Sequence, residues 1–136
     1  MEDYLERIYL TIEEKGYVRS RDIATSLNVL PSSVTKMMQK LDERGLGNYE
    51  RYGGFTLTDE GHKLAKKLVE KHEILENFLT LIGVEEKHIY EEVERLEHYI
   101  SKESTICISK LIDFFEQNPS IKTSYIKYCK DSQKGN

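Results

Sequence analysis

At 136 residues the chain suits one domain or two small units that share packing. No apolar run approaches a membrane span, and the start MEDYLERIYL lacks a basic, then apolar, signal pattern, so the expected setting is cytoplasmic with no membrane partner. The formal charge of −4 argues weakly against nucleic acid, but Arg19 to Lys71 carries ten Lys/Arg against seven Asp/Glu, and His72 onward eight against twelve, which suggests a different partner for each half.

Leu5, Ile8, Tyr9 and Ile12 recur at helical spacing and predict a first helix over 3–15, ended by Gly16. Ser20 as N-cap opens a short second helix over 20–27, with Ile23, Ala24 and Leu27 inward. NVLPSS is a tight connection. A third helix starts near Pro31 or Ser32 and runs to about Arg44, since proline is tolerated in a first turn. LGNYERYGGFTLT reads as two short strands around a Gly53-Gly54 turn. Thr58 or Asp59 then opens a long helix of about 60–82, closed by Gly83. Its stripe is Leu64, Leu68, Leu75 and Leu79, with His72 at the edge. Two more helices follow near 86–100 and 105–117, the last stopped by Asn118-Pro119. The tail has room for one more helical piece, with its final six residues frayed. Cys107 sits among Ile106, Ile108 and Leu111 and reads as a small core hydrophobe. With Cys129 it has no metal-knuckle spacing, and no disulfide is expected.

This order predicts a mainly α fold with a small β-hairpin wing. A winged helix-turn-helix domain over 1–71, with the long linking helix at its end, precedes a helical domain over 72–136. On the third helix Val34, Met37, Met38 and Leu41 share an apolar stripe, while Ser32, Thr35, Lys36 and Gln39 lie opposite. Short hydroxyls, an amide and a cation suit base edges and phosphates. Ser33, Lys40 and Arg51 complete the candidate DNA-binding set, and the Arg19/Arg21 pair has reach for the backbone. An ordinary three-helix core with a polar solvent face fits the same pattern. The short second helix, the turn before Pro31 and the glycine-tipped hairpin favour double-stranded DNA. The dense patch of Leu111, Ile112, Phe114 and Phe115 predicts a symmetric homodimer. The alternative is cover by Tyr125 and Ile126 from the tail.

In EEVERLEHYI, Ile89, Val93, Leu96 and Ile100 form an inward stripe that begins just before the quoted stretch. Glu94, Glu97 and His98 stand at i, i+3 and i+4 on its flank. His72 on the long helix, and Asp3 and Glu6 on the first, extend the candidate donors. Carboxylates with imidazoles suit Mn, Fe, Co or Zn divalent ions, and no sulfur joins the set. Helix packing is not given by sequence, so solvated acids and a hydrogen-bonded histidine explain the same residues. Asp3 and Glu6 also suit a helix N-terminus.

Taken together, MEDYLERIYLTIEEKGY, PSSVTKMMQKLDERG, the hairpin, HEILENFL and EEVERLEH resemble the DtxR/MntR family of metal-dependent transcriptional repressors, on its manganese-regulator side. The resemblance implies metal ligands at Asp3, Glu6, His72, Glu94, Glu97 and His98. It implies a homodimer, a binuclear Mn²⁺ site in each subunit, and repression of manganese-uptake genes from operator DNA. Fe²⁺, Co²⁺, Zn²⁺ and Cd²⁺ are further ions such a site accepts. Iron-sensing relatives place sulfur where Asp3 and Glu94 stand; oxygen at both positions favours manganese. Metal binding is then expected to order the dimer for its operator, with no catalysis. The competing classes are a two-metal hydrolase and a metal-independent winged-helix adaptor.

Overall fold

Apolar spacing and local caps account for most elements of the computed structural model, which describes residues 2–51 and 54–134. In chain order they are α1 (Glu2–Lys15), α2 (Ser20–Leu27), α3 (Pro31–Glu43), β1 (Gly47–Glu50), β2 (Gly54–Leu57), α4 (Asp59–Leu81), α5 (Glu86–Glu97), α6 (Lys102–Gln117) and α7 (Pro119–Lys134). The fold is mainly helical with one antiparallel hairpin, in winged helix-turn-helix order. The chain divides into two units, Met1–Val69 and Glu70–Asn136, and the division falls inside α4.

The first unit closes around Leu5 and Ile8 of α1, Ile23 of α2, Val34, Met38 and Leu41 of α3, and Phe55 of β2. Arg19, rather than the expected Ser20, is the N-cap of α2. Asp22 Oδ2 accepts the Arg19 backbone N–H at 3.2 Å, so a carboxylate three residues on satisfies the entry. That frees the Ser20 hydroxyl, which meets Thr35 Oγ1 at 2.8 Å and ties α2 to α3. The hairpin pairs Gly47 with Leu57 through Glu50 with Gly54. Val18 bridges to Phe55 with two backbone hydrogen bonds, giving the two-stranded wing a further partner segment. Gly53, from the expected turn, lies outside the described residues.

Thr58 caps α4: its Oγ1 accepts the Gly61 N–H at 3.1 Å and donates to the Gly45 carbonyl at 2.7 Å. Gly61 is required there, because a Cβ would stand 1.8 Å from the Leu46 carbonyl oxygen. The inward stripe of α4 therefore runs through Gly61, Ala65 and Leu68. Leu64, expected on that stripe, is 40% exposed, because Ala65, one residue or about 100° round the helix, holds the inward position.

In the second unit Leu75 and Leu79 of α4 pack with Ile89 and Val93 of α5; Leu96, Ile100 and Ile108 cover their edges. Helix α5 stops at Glu97, earlier than the expected Ile100, and His98 is its C-cap. Ser101 then caps α6 by accepting the Ser104 N–H at 3.1 Å. On α6 the buried residue is Thr105, and Cys107 is exposed rather than a core hydrophobe. Two residues separate them, about 200° round the helix, so they face opposite ways. Phe115 meets Tyr125 of α7 with ring centroids 5.6 Å apart. Cover by the tail is nevertheless partial, since Leu111 stays 44% and Phe114 51% exposed. Helix α7 continues to Lys134, through four of the six terminal residues expected to fray; Gly135 and Asn136 lie outside the described residues. Among the described residues no helix is long and apolar enough to cross a membrane.

Candidate functional site

His72 sits centrally on a stripe rather than at its edge. Ala65, Leu68, His72, Leu75 and Leu79 are spaced three, four, three and four apart, the repeat of one helix face. An imidazole on a core-facing line needs polar partners. Its Nδ1 lies 2.7 Å from Glu97 Oε1 on α5, and the carboxylate accepts from the ring N–H. Its Nε2 faces Glu76 Oε2 one turn on at 3.6 Å, beyond hydrogen-bond range. The side chains of His72 and Glu97 are 19% and 9% exposed. A hard oxygen and an imidazole nitrogen thus converge from two helices in a shielded place. That donor chemistry fits a divalent ion of the Mn to Zn series.

Of the other residues named for the metal, Glu94 is half-buried on α5, one turn before Glu97. His98 is exposed and is the C-cap of α5, with right-handed helical backbone angles, so it follows Glu94 at the expected i+4 position. Among the described residues of the second unit, neither joins His72 and Glu97 in a three-donor cluster. Asp3 is exposed and Glu6 half-buried, both in the first two turns of α1. Sequence reasoning passed over Glu76 and Lys71. Their signal was position: Glu76 is one turn from His72, and Lys71 is its neighbour.

The first unit supplies the candidate DNA-facing surface. Ser32, Ser33, Lys36, Gln39 and Lys40 are exposed on α3, and Arg51 is exposed after β1. Thr35 differs from them. It is half-buried, and its hydroxyl is engaged by the Pro31 carbonyl at 3.1 Å as well as by Ser20. Arg19 and Arg21 from the start of α2 and Arg51 line one groove with Thr35 and Tyr49. Asp42 Oδ2 accepts the Tyr49 N–H at 2.8 Å and so fixes the hairpin to α3. Such a surface offers hydroxyls, an amide and cations on a rigid frame.

Residues 1–55 match the iron dependent repressor N-terminal DNA-binding domain, and residues 58–125 match the metal-binding and dimerisation domain of the same repressors. The chain belongs to the DtxR/MntR family of metal-dependent transcriptional repressors. It is 55% identical over 121 residues to the HTH-type transcriptional regulator MntR of Lysinibacillus sphaericus (strain C3-41), covering 89% of this chain and 87% of the relative. It is 52% identical over 122 residues to MntR of Bacillus subtilis (strain 168), covering 90% and 86%. Among solved structures it is similar to the manganese regulator SloR, with a TM-score of 0.71 and 32% identity over 83% of this chain. The chain spans 53% of that solved chain. Members of this DtxR/MntR family are DNA-binding, metal-binding transcription regulators and not enzymes.

Proposed function

We propose that the protein is a manganese-responsive repressor of manganese-uptake genes, working as a homodimer on double-stranded operator DNA in the cytoplasm. The observation that carries this reading is the His72–Glu97 pair, shielded and 2.7 Å apart, in a stretch that matches a metal-binding and dimerisation domain. Asp3 and Glu6 of α1, with Glu94 of α5 and His98 at its C-cap, complete the proposed ligand set, enough for a binuclear Mn²⁺ site in each subunit. The bound ions supply positive charge that neutralises carboxylates otherwise in mutual repulsion. This chain's residues do the rest. His72 and Glu97 bind from α4 and α5, Asp3 and Glu6 bind from the DNA-binding unit, and a full set favours one placement of the two units. Two α3 helices, one per subunit, then meet two half-sites.

Oxygen at Asp3 and Glu94 supports manganese, because carboxylates suit the harder ions. Fe²⁺, Co²⁺, Zn²⁺ and Cd²⁺ remain candidates for binding without matching Mn²⁺ as the physiological signal. Operator affinity is to be measured under anaerobic conditions against each of these metals. Mn²⁺ is expected to raise it at concentrations where metal-free protein binds only nonspecifically. Equal operator affinity with and without metal would sink the reading in favour of a metal-independent adaptor. Bare metal affinity is a poor guide, since Zn²⁺ outcompetes Mn²⁺ at most such donor sets.

A further inference from the structure

Lys71 immediately precedes His72 on α4. Its Nζ donates to the main-chain carbonyl of Glu97 at 2.9 Å and to that of Ile100 at 3.3 Å. Glu97 is the last residue of α5, where carbonyls lack partners within the helix and the helix dipole is negative. A half-buried ammonium is well matched to that place. Two adjacent residues of α4 therefore hold Glu97 at two points: Lys71 holds the main chain, and His72 holds the carboxylate.

The two contacts differ in what a metal does to them. An ion that takes the imidazole nitrogen and the carboxylate oxygen competes with the His72–Glu97 hydrogen bond. The Lys71 contact uses only main-chain oxygens and is compatible with a loaded site. Taking the proposed metal role of Glu97 as the basis, we infer that Lys71 is a positioning residue of the metal centre. It pins the end of α5 to α4, so that the Glu97 carboxylate is in place before the ion arrives. The same pinned turn sets where His98, the next residue, leaves the helix.

Outer contacts that orient metal ligands are worth about 10- to 100-fold in metal affinity. Lys71→Met keeps the aliphatic stem and removes the donor; Lys71→Arg keeps a donor. Mn²⁺ affinity is to be read by competition with a fluorescent chelator, and amide exchange in the metal-free protein. Lys71→Met is expected to lose about tenfold in Mn²⁺ affinity. The amides of Tyr99 and Ile100, which bond to the Leu96 carbonyl, should exchange faster. Lys71→Arg should restore most of both, while secondary structure and dimer state stay as in the parent. Mn²⁺ affinity of Lys71→Met within twofold of the parent overturns the inference. So does a loss that Lys71→Arg fails to relieve. Should Lys71→Met not fold, Lys71→Gln, whose shorter side chain has less reach, replaces it with the same outcomes. A parent that does not bind Mn²⁺ is a different result, which removes the proposed function itself.

Discussion

Glu97 is a carboxylate with little access to water and a nitrogen at 2.7 Å, which makes it the residue whose chemistry is most constrained. Glu97→Gln keeps its shape and removes its charge. It is expected to abolish activation of operator binding by every metal, and to weaken Mn²⁺ binding by at least the ten- to hundredfold typical of a lost outer partner. Titration calorimetry with a parallel check of dimer state reads this; unchanged Mn²⁺ affinity would remove Glu97 from the ligand set. Asp3 and Glu94 are expected to act differently, on the choice of metal. Asp3→Met together with Glu94→Cys should let Fe²⁺ or Co²⁺ activate relatively better than Mn²⁺, since the pair is softer. An unaltered order of metals at saturation would show that these positions do not set selectivity. The identities of such residues were legible in the sequence, because hard donors at helical spacing stand out. Their geometry was not. That His72 faces Glu97 depends on how α4 packs on α5, and that α5 ends at Glu97 depends on a cap drawn from main-chain oxygens and Lys71.

Helix α3 shows which parts of an element its own periodicity reveals. The stripe of Val34, Met38 and Leu41 is buried as its spacing demands, with Met37 partly so. The polar side divides in a way spacing alone does not show: Gln39 and Lys36 are exposed, while the Thr35 hydroxyl joins α3 to α2 through Ser20. Gln39→Ala is accordingly expected to weaken operator binding with no change in stability or Mn²⁺ affinity. Thr35→Ala should lower stability as well, by about 1 kcal/mol for the lost hydrogen bonding. Chemical denaturation beside fluorescence anisotropy on operator DNA separates the two; equal stability of both variants would show that the Thr35 hydroxyl serves DNA reading alone. Lys36→Ala should weaken operator and random DNA by similar factors and lower the salt dependence by about one phosphate contact. A loss confined to the operator, with the salt slope intact, would make Lys36 a base reader instead. Leu64 and Ser20 were misplaced for a related reason. A close approach set by Gly61 turns α4 by one residue, and an i to i+3 carboxylate moves a cap by one.

At the scale of the whole molecule, the even spread of apolar residues along α6 is the feature one chain leaves unresolved. Thr105 and Ile108 turn toward the second unit's own core, whereas Ile106, Leu111 and Phe114 do not. Tyr125 of α7 reaches Phe115 but leaves this face open, so covering it is the task of a second copy in the proposed dimer. No metal donor lies on α6 or α7 in the proposed set, and the open face is present without an ion. The dimer is therefore expected to form in metal-free protein at micromolar concentration, driven by apolar burial. Sedimentation velocity after chelation should show one dimeric species, and Mn²⁺ should change operator affinity without changing mass. Leu111→Glu places a charge on the open face, and a buried unpaired charge is strongly unfavourable. That variant should sediment as a monomer, keep the His72–Glu97 pair on α4 and α5, and lose most operator affinity, because a single α3 meets a single half-site. A metal-free parent that is monomeric and pairs only after Mn²⁺ addition would overturn this order of events. It would make assembly itself, rather than the placement of units within a standing dimer, the step that manganese controls.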